Sequence, residues 1–273
     1  MIRMIVSDMD GTLLNAEKKV PEANVDALVR AYKAGIAVCF ASGRIDYEID
    51  DVLGELRARG VPYHKVSQNG AFVRLSNGGT LYEASFDRET AARLLAVALP
   101  NPIVSIVSTT TGNLIREQSE ASAALERRFT TSFGIRPDLL EEVRAGRITT
   151  SKLSLVGEER YLLAVQASLR AEFVNVMESY MSDRDCLDIV PSGISKGTGL
   201  GRLTEALGIG LQETACAGDA FNDCSMFEVT PYSYAMRHAH PDVKAQARHE
   251  IDSVAEMIED VLRISEAGSK MRA

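Results

Sequence analysis

Residues 2–12 read IRMIVSDMDGT, an apolar run that ends abruptly in two acids, Asp8 and Asp10. A short apolar run of this kind predicts a buried strand over residues 2–7. Carboxylates at positions i and i+2 of a strand point to the same side, and Gly11 lets the backbone turn away just beyond them. At the end of a strand, one carboxylate could attack a phosphorus or carbon centre while the other moves a proton, and both are hard ligands for Mg²⁺.

Two other interpretations of this stretch have to be weighed. An Asp-Gly pair after a short strand is often only a turn, with both acids in solvent. A calcium-binding loop also begins with Asp-x-Asp, but it needs glycine at its sixth position and glutamate at its twelfth. Counted from Asp8, those positions hold Leu13 and Lys19, which excludes the calcium loop. The choice between a turn and a catalytic pair depends on the rest of the chain.

The composition indicates a globular chain. It has 273 residues, 45% of them apolar, which suffices for one large or two modest domains. A net charge of −8 without a dense run of Lys or Arg predicts no nucleic-acid partner. Four scattered cysteines and four histidines show neither disulfide nor zinc spacing. With no signal peptide and no apolar stretch that could span a bilayer, we expect a cytoplasmic protein with no membrane partner.

Strands and helices alternate in the first part of the chain. The pattern predicts a helix of about fifteen residues from near Pro21, a strand at residues 36–41, a helix through Leu56 and a strand at residues 61–67. This order predicts a parallel sheet. Residues 71–73 and 80–82 flank a Gly-rich turn and predict a hairpin.

The pattern changes between residues 84 and 186, where hairpin signals mix with helices, including a predicted helix at residues 122–133. The earlier pattern returns at residues 188–191. We therefore predict a core formed by residues 1–83 and 187–273, interrupted by an inserted α+β domain at residues 84–186.

Polar residues follow three of the predicted core strands. Asp8 and Asp10 follow the first, Ser42 and Gly43 the second, and the segment GDAFND at residues 218–223 follows a strand at residues 214–217. In an open parallel sheet, ligands bind outside the carboxyl ends of the strands, so these groups should converge. Each alone could be a helix cap or a turn. Their common placement at strand ends favours a site.

Lys196 would supply positive charge to this site. Four carboxylates in one pocket cannot all stay ionised without compensating charge, and Mg²⁺ with one lysine would largely balance them. Lys196 also begins a predicted helix, whose first N–H groups favour an anion. Taken alone, an exposed lysine at a helix start is the simpler interpretation. A nucleotide P-loop is excluded, because residues 195–198 read SKGT rather than Gly-Lys-Ser/Thr.

The ordered motifs together resemble those of the haloacid dehalogenase-like hydrolases. They are Asp8-x-Asp10-Gly-Thr, Ser42-Gly-Arg, Ser-Lys196-Gly and Gly-Asp219-x-x-Asn222-Asp223. Residues 189–197 resemble the Cof-type branch in particular. The resemblance covers the whole core, and the insert by position and length only. It implies an α/β fold with a Rossmann-like, doubly wound parallel sheet, an inserted α+β cap domain of the C2 type, and Mg²⁺ as cofactor.

The resemblance also implies a role for each motif residue. Asp8 would be the nucleophile that forms an aspartyl-phosphate, and Asp10 the general acid and base. The phosphoryl group would be bound by Ser42, Gly43, Lys196 and Asn222. Mg²⁺ would be held by Asp8, the backbone carbonyl of Asp10 and Asp219, with Asp223 binding it directly or through water.

We therefore predict a Mg²⁺-dependent phosphatase acting on a small phosphorylated metabolite, such as a sugar phosphate, as a monomer or homodimer. A phosphomutase of the same superfamily and a non-catalytic phospholigand-binding protein are the alternatives. The presence of both Asp8 and Asp10 argues against mere binding.

Two regions outside the motifs bear on the substrate. Lys152 and Arg116, near predicted strand ends of the insert, could face it, although solvated surface charge is the simpler interpretation. The loop after Met236 is shorter than in Cof-type members, which puts in doubt a phosphate contact from that region.

Overall fold

The computed structural model describes residues 1–129 and 131–270, and the strands within those ranges form two sheets. In chain order the strands are β1 (Met4–Ser7), β2 (Ala37–Ala41), β3 (His64–Ser67), β4 (Phe72–Arg74), β5 (Thr80–Glu83), β6 (Val104–Ser108), β7 (Asn113–Ile115), β8 (Phe133–Ile135), β9 (Lys152–Val156), β10 (Met177–Asp183), β11 (Cys186–Pro191), β12 (Thr214–Gly218), β13 (Tyr232–Met236) and β14 (His249–Ile251).

The helices lie between these strands or after the last of them. They are α1 (Glu22–Lys33), α2 (Asp46–Val52), α3 (Gly54–Ala58), α4 (Arg88–Ala98), α5 (Glu120–Phe129), α6 (Leu139–Arg144), α7 (Glu159–Glu172), α8 (Lys196–Leu207), α9 (Cys224–Val229), α10 (Pro241–Lys244) and α11 (Val254–Lys270). Within the ranges described, none of them combines the length and the apolar character needed to cross a bilayer.

The larger sheet has eight strands in the order β14-β13-β12-β1-β2-β3-β4-β5. Its strands from β14 to β3 are parallel, and β4 turns back antiparallel to β3. Strand β1 lies between β12 and β2, so its carboxyl end is at the centre of the sheet.

Both faces of this sheet are covered by helices, which explains why the first three residues of β1 are all apolar. Ile5 points to one face, into a cluster that includes residues of α1 and α11. Its neighbours Met4 and Val6 point to the other face, where α8 and α9 pack. A parallel strand that is buried on both sides needs continuous rather than alternating apolar residues. The predicted α/β, doubly wound fold is confirmed.

The smaller sheet has six strands in the order β10-β11-β9-β6-β7-β8. They are mostly antiparallel, and only β7 and β8 pair in parallel. Leu153 and Leu155 of β9 point into a cluster formed with α4, α6 and α7. Val156 points to the opposite face, where Leu125 of α5 joins a second, smaller cluster.

The chain divides into two compact units. Unit 1 comprises residues 1–82 and 196–273, and unit 2 comprises residues 83–195. The second boundary therefore falls after Ser195, whereas the sequence predicted it after Cys186. The reason is β11, whose residues pair with β9 and β10 of the smaller sheet rather than with any strand of the larger one.

Two predicted elements have different ends in the structure. The helix expected at residues 122–133 is α5, which ends at Phe129, and Phe133 instead begins β8, where its ring is buried. The strand expected at residues 61–67 is formed only from His64 onward. Pro62 has no N–H to donate to a ladder, which is consistent with this late start.

Candidate active site

Asp8 lies directly after β1, at the centre of the larger sheet. Its backbone N–H donates to the Ala217 carbonyl over 2.9 Å, and its side chain is buried. The chain then turns at Gly11, which has a φ of +85°. A Cβ atom at Gly11 would lie 2.3 Å from Oδ2 of Asp219, so only glycine permits this approach. The turn at Gly11 thus packs against the segment at residues 218–223.

The acidic segment at residues 218–223 follows β12. Oδ2 of Asp223 accepts hydrogen bonds from the N–H groups of Asp219 (2.9 Å) and Ala220 (3.0 Å). Oγ1 of Thr12, from the loop after β1, donates to Oδ1 of Asp219 over 2.7 Å. These bonds fix both carboxylates relative to the loop that carries Asp8.

Lys196 joins the two ends of the site. Its Nζ lies 2.6 Å from Oδ1 of Asp8 and 2.7 Å from Oδ1 of Asp223, and its side chain is almost completely buried. The next residue, Gly197, allows α8 to approach α9, because a Cβ there would lie 2.1 Å from the Ser225 carbonyl oxygen. Lys196 is therefore a buried member of the site and not an exposed lysine.

The site contains more negative than positive charge. Burial raises the pKa of Asp8 well above its ordinary value; Asp223 and Asp219 raise it further and Lys196 opposes them. Burial and the neighbouring Asp223 raise the pKa of Asp219 to about 6. The pKa of Lys196 is also raised, because its two aspartates outweigh the effect of burial. One lysine does not neutralise three carboxylates.

A divalent cation fits this donor set. The carboxylate oxygens of Asp8, Asp219 and Asp223 lie within 4.8 Å of one another, and oxygen is the ligand that Mg²⁺ prefers. Within the ranges described, Oδ1 of Asn222 in the same segment is buried and has no hydrogen-bond partner. Asp10 contributes no side-chain oxygen to this cluster.

Asp10 is held by two cations that the sequence analysis missed. Arg44 contacts both of its carboxylate oxygens, with Nε 2.6 Å from Oδ2 and Nη2 2.8 Å from Oδ1. Nζ of Lys18 lies 2.7 Å from Oδ1. Burial alone would raise the pKa of Asp10, but Arg44 and Lys18 lower it to about 2. Arg44 stands in the quoted Ser42-Gly-Arg motif, which was the available signal. The sequence held no signal for Lys18, because its position depends on its own left-handed backbone, which has a φ of +57°.

Ser42 follows β2 and Asn222 follows β12, the strands on either side of β1. Oγ of Ser42 accepts a hydrogen bond from the Arg44 N–H over 3.2 Å, which leaves its hydroxyl proton to donate to a ligand. Gly43 lies in the bend between Ser42 and Arg44. Nδ2 of Asn222 donates to Oδ1 of Asn69 over 3.0 Å. Asn69, in the segment after β3, is a further residue that the sequence analysis did not connect with the site.

Three residues considered at the margin of the site have distinct environments. Lys152 is buried and pairs with Asp188 over 3.1 Å, both within unit 2, so it is not solvated surface charge. Arg116 is exposed and pairs with Glu117, as its simpler interpretation predicted. After Met236 the chain forms α10 and β14, and Nε2 of His238 lies 3.8 Å from Oδ2 of Asp219.

Comparison with known proteins identifies the family. A model of the haloacid dehalogenase-like hydrolases matches residues 5–258, so the chain belongs to that family and is a hydrolase. It is 26% identical to an HMP-PP phosphatase of Escherichia coli O6:H1 and 27% identical to one of Klebsiella pneumoniae. Each alignment spans 249 residues, 91% of this chain and 89% of the relative.

Solved structures of the family share the fold. A haloacid dehalogenase-like hydrolase from Bacteroides thetaiotaomicron superposes with a TM-score of 0.83 at 26% identity, covering 96% of this chain and 100% of the other. One from B. subtilis superposes with a TM-score of 0.87 at 23% identity, covering 94% and 99%. The predicted family, fold and enzyme class are confirmed.

Proposed function

We propose that this chain is a Mg²⁺-dependent phosphatase that hydrolyses small phosphomonoesters through an aspartyl-phosphate on Asp8. The observation that carries the proposal is the position of Lys196, whose Nζ bridges Asp8 and Asp223 at the end of the central strand. A lone buried carboxylate with one lysine would be a structural ion pair. Three carboxylates around one lysine suit a cation and an anionic substrate.

The residues that would hold Mg²⁺ are Asp8, Asp219 and Asp223, with the backbone carbonyl of Asp10 as a further ligand. The ion would neutralise excess carboxylate charge and stabilise the negative charge of the phosphoryl group. Thr12 would keep Asp219 oriented, because its hydroxyl donates to Oδ1 of that carboxylate.

In the first chemical step, a carboxylate oxygen of Asp8 attacks phosphorus and the bond to the leaving oxygen breaks. Asp10 gives its proton to that oxygen, which leaves as an alcohol. In the second step Asp10 takes a proton from water as the water oxygen attacks the aspartyl-phosphate. The P–O bond to Asp8 then breaks, and inorganic phosphate and free Asp8 result.

The acid role places a condition on Asp10. Between Arg44 and Lys18 its carboxylate has a pKa of about 2, so in that position it holds no proton near neutral pH. Asp10 must therefore part from at least one of these cations before it can protonate the leaving oxygen. A carboxyl group with a pKa closer to neutrality transfers protons more efficiently.

The phosphoryl oxygens would be bound by donors from three loops. Ser42 has a hydroxyl proton to offer, and the backbone at Gly43 follows it directly. Lys196 supplies a buried positive charge, and Asn222 supplies an amide. Donors held in place before the reaction stabilise the transition state without reorganisation.

The size of the substrate is supported by the relatives. Those named HMP-PP phosphatase are 26% and 27% identical over nearly the whole chain, which supports a small phosphorylated metabolite. The role of unit 2 as a cap that selects the leaving group belongs to the same proposal. A panel of phosphorylated metabolites, assayed with Mg²⁺ for released phosphate, would identify the substrate.

The mechanism is tested by Asp8→Asn, with Asp242→Asn as a control. Asp242 is an exposed carboxylate outside the acidic cluster. We expect Asp8→Asn to lower kcat by about 10⁴-fold or more, as is typical when a nucleophile is lost. Asp242→Asn should retain wild-type activity. Unchanged activity of Asp8→Asn would refute the mechanism.

Product analysis separates the alternatives. A phosphomutase would give an isomerised sugar phosphate without free phosphate. A phospholigand-binding protein would bind phosphate without Mg²⁺-dependent turnover. A phosphatase releases inorganic phosphate and the alcohol in equal amounts.

A further inference from the structure

The segment after β3 has an unusual backbone. Gln68, Asn69 and Gly70 have φ angles of 49°, 56° and 101°, three consecutive residues in the left-handed region. Elsewhere among the described residues, positive φ angles occur only in isolated residues and not in two neighbours. Asparagine and glycine tolerate this conformation, but glutamine does so rarely. Such conformations persist where the surrounding structure enforces them, and they concentrate at functional sites.

The backbone of this left-handed turn, residues 68–70, is tied to the loop that carries Ser42. The Asn69 N–H donates to the Ser42 carbonyl over 2.9 Å, and the Gln68 N–H donates to the Arg44 carbonyl over 2.9 Å. The Ser42 N–H donates to the Val66 carbonyl, also over 2.9 Å. The turn therefore extends the pairing of β2 and β3 beyond the strand ends and fixes the position of Ser42.

The side chain of Asn69 reaches the acidic segment. Its Oδ1 accepts the hydrogen bond from Nδ2 of Asn222, and both side chains are buried. Within the described ranges, this is the one hydrogen bond made by the Asn222 side chain, whose Oδ1 has no partner. The orientation of the Asn222 amide thus depends on Asn69.

The third residue of the turn packs against the helix that carries Lys196. A Cβ atom at Gly199 of α8 would lie 3.1 Å from Cα of Gly70 and 2.5 Å from Cγ1 of Val66. Helix α8 therefore approaches the turn at the distance that glycine allows. The same turn contacts the elements that carry Ser42, Asn222 and Lys196.

We propose that Asn69 is a positioning residue for phosphoryl binding: its left-handed backbone fixes Ser42, and its side chain orients the amide of Asn222. This proposal rests on the proposed function, because Ser42 and Asn222 are taken as ligands of the phosphoryl group. Asn69 acts through these two residues and is not assigned a contact with the substrate.

The test compares Asn69→Gly with Asn175→Gly. Asn175 has the same left-handed backbone, with a φ of 60°, but is exposed in unit 2. Glycine keeps the left-handed conformation at both positions, so both variants should fold. We expect Asn69→Gly to raise the dissociation constant of inorganic phosphate about five- to tenfold, the effect of one hydrogen bond. KM should rise by a similar factor, and Asn175→Gly should match wild type.

A double variant shows whether Asn69 acts through Asn222. If it does, adding Asn69→Gly to Asn222→Ala should change phosphate binding by less than about twofold, because the partner is already absent. Isothermal titration with inorganic phosphate and Mg²⁺ measures this directly, and thermal unfolding checks the fold. A merely structural Asn69 would lower the melting temperature without this pattern.

Two outcomes overturn the proposal separately from the proposed function. Wild-type phosphate affinity in Asn69→Gly would refute the positioning role while the phosphatase mechanism stands. Fully multiplicative effects in the double variant would show that Asn69 does not act through Asn222. A wild-type protein that neither binds phosphate nor hydrolyses a phosphomonoester would refute both proposals.

Discussion

Both units bury a lysine against an aspartate, but only the cluster in unit 1 contains excess negative charge. In unit 1, Lys196 contacts Asp8 and Asp223. The carboxylate of Asp219 lies close to both of these aspartates, with oxygens of all three within 4.8 Å of one another. In unit 2, Lys152 contacts the single carboxylate of Asp188. Ser154 also donates to Oδ1 of that carboxylate, over 2.6 Å.

The difference shows how burial alone fails to identify a site. Both lysines are more than nine-tenths buried, and each has a carboxylate partner within hydrogen-bond distance. A balanced pair with added hydrogen bonds satisfies its own charges, which is what a structural ion pair requires. A cluster whose carboxylates outnumber its cations stays destabilised until a cation binds, and such imbalance is typical of functional sites.

We expect the largest change in the free energy of unfolding when the balanced pair of Lys152 and Asp188 is broken. Lys152→Met leaves Asp188 buried without its cation and should lower the free energy of unfolding by about 3 kcal/mol. The double variant Lys152→Met/Asp188→Leu should recover to within about 1 kcal/mol of wild type, because no buried charge is left unpaired. Urea unfolding with and without Mg²⁺ measures both variants.

The response to Mg²⁺ makes this test specific. If the pair in unit 2 is purely structural, Mg²⁺ should not restore stability to Lys152→Met. A Mg²⁺-dependent recovery, or a single variant as stable as the double, would contradict the comparison between the two clusters.

In unit 1 we expect a smaller change in the free energy of unfolding, and an increase rather than a decrease. Asp219→Asn removes one carboxylate from the overcharged cluster and, with EDTA present, should raise the free energy of unfolding by about 1 kcal/mol. The reason is that the raised pKa of Asp219 reflects a charged form that is disfavoured in the folded state. The same variant should lose Mg²⁺-dependent activity. Asp188→Asn, the matched change in unit 2, should instead be destabilising.

We expect the smallest change in the free energy of unfolding from His64, a buried group with no charge imbalance around it. Burial lowers the pKa of His64 below its ordinary value of 6.5, and its Nδ1 accepts a hydrogen bond from the Ser76 N–H. Protonation therefore favours the unfolded state. The contribution of His64 should be intact above pH 6.5 and decline as the pH falls from there through its folded pKa.

The loss should be below about 1 kcal/mol, and His64→Gln should flatten the pH dependence of unfolding over that range. If His64→Gln leaves the slope unchanged, the acidic pH dependence originates elsewhere, and the carboxylates of the site become the first candidates.

Much of unit 1 could be predicted from the sequence, because its signals are local. The apolar run before Asp8 indicates a strand buried on both faces, and the structure has one. The motifs at Ser42 and Asp219 follow strands whose order alone brings them to one edge of a parallel sheet, whereas Lys196 begins α8 after a strand of the smaller sheet. The structure brings the carboxylates of Asp8, Asp219 and Asp223 together as that order predicts, and Lys196 contacts Asp8 among them.

Unit 2 was less predictable, because its signals are not local. Strand β11 follows β10 closely and pairs with it and with β9 in antiparallel fashion. Nothing in the residues of β11 itself indicates which of the two sheets it joins. Phe133 fits a helical pattern, yet it is buried in the cluster beneath β8. In both cases the choice of partner, rather than local preference, decided the structure.

The sequence by itself determined the order of strands and helices, the acids at the strand ends and the family to which the chain belongs, because short spacings fix which side chains share one edge of a sheet. Tertiary structure alone decided that Arg44 and Lys18 hold Asp10, that Asn69 supports Asn222 and that Lys152 is buried against Asp188. Each of these contacts joins loops or strands whose distance in the fold is set by packing and hydrogen bonding, and not by their spacing along the chain.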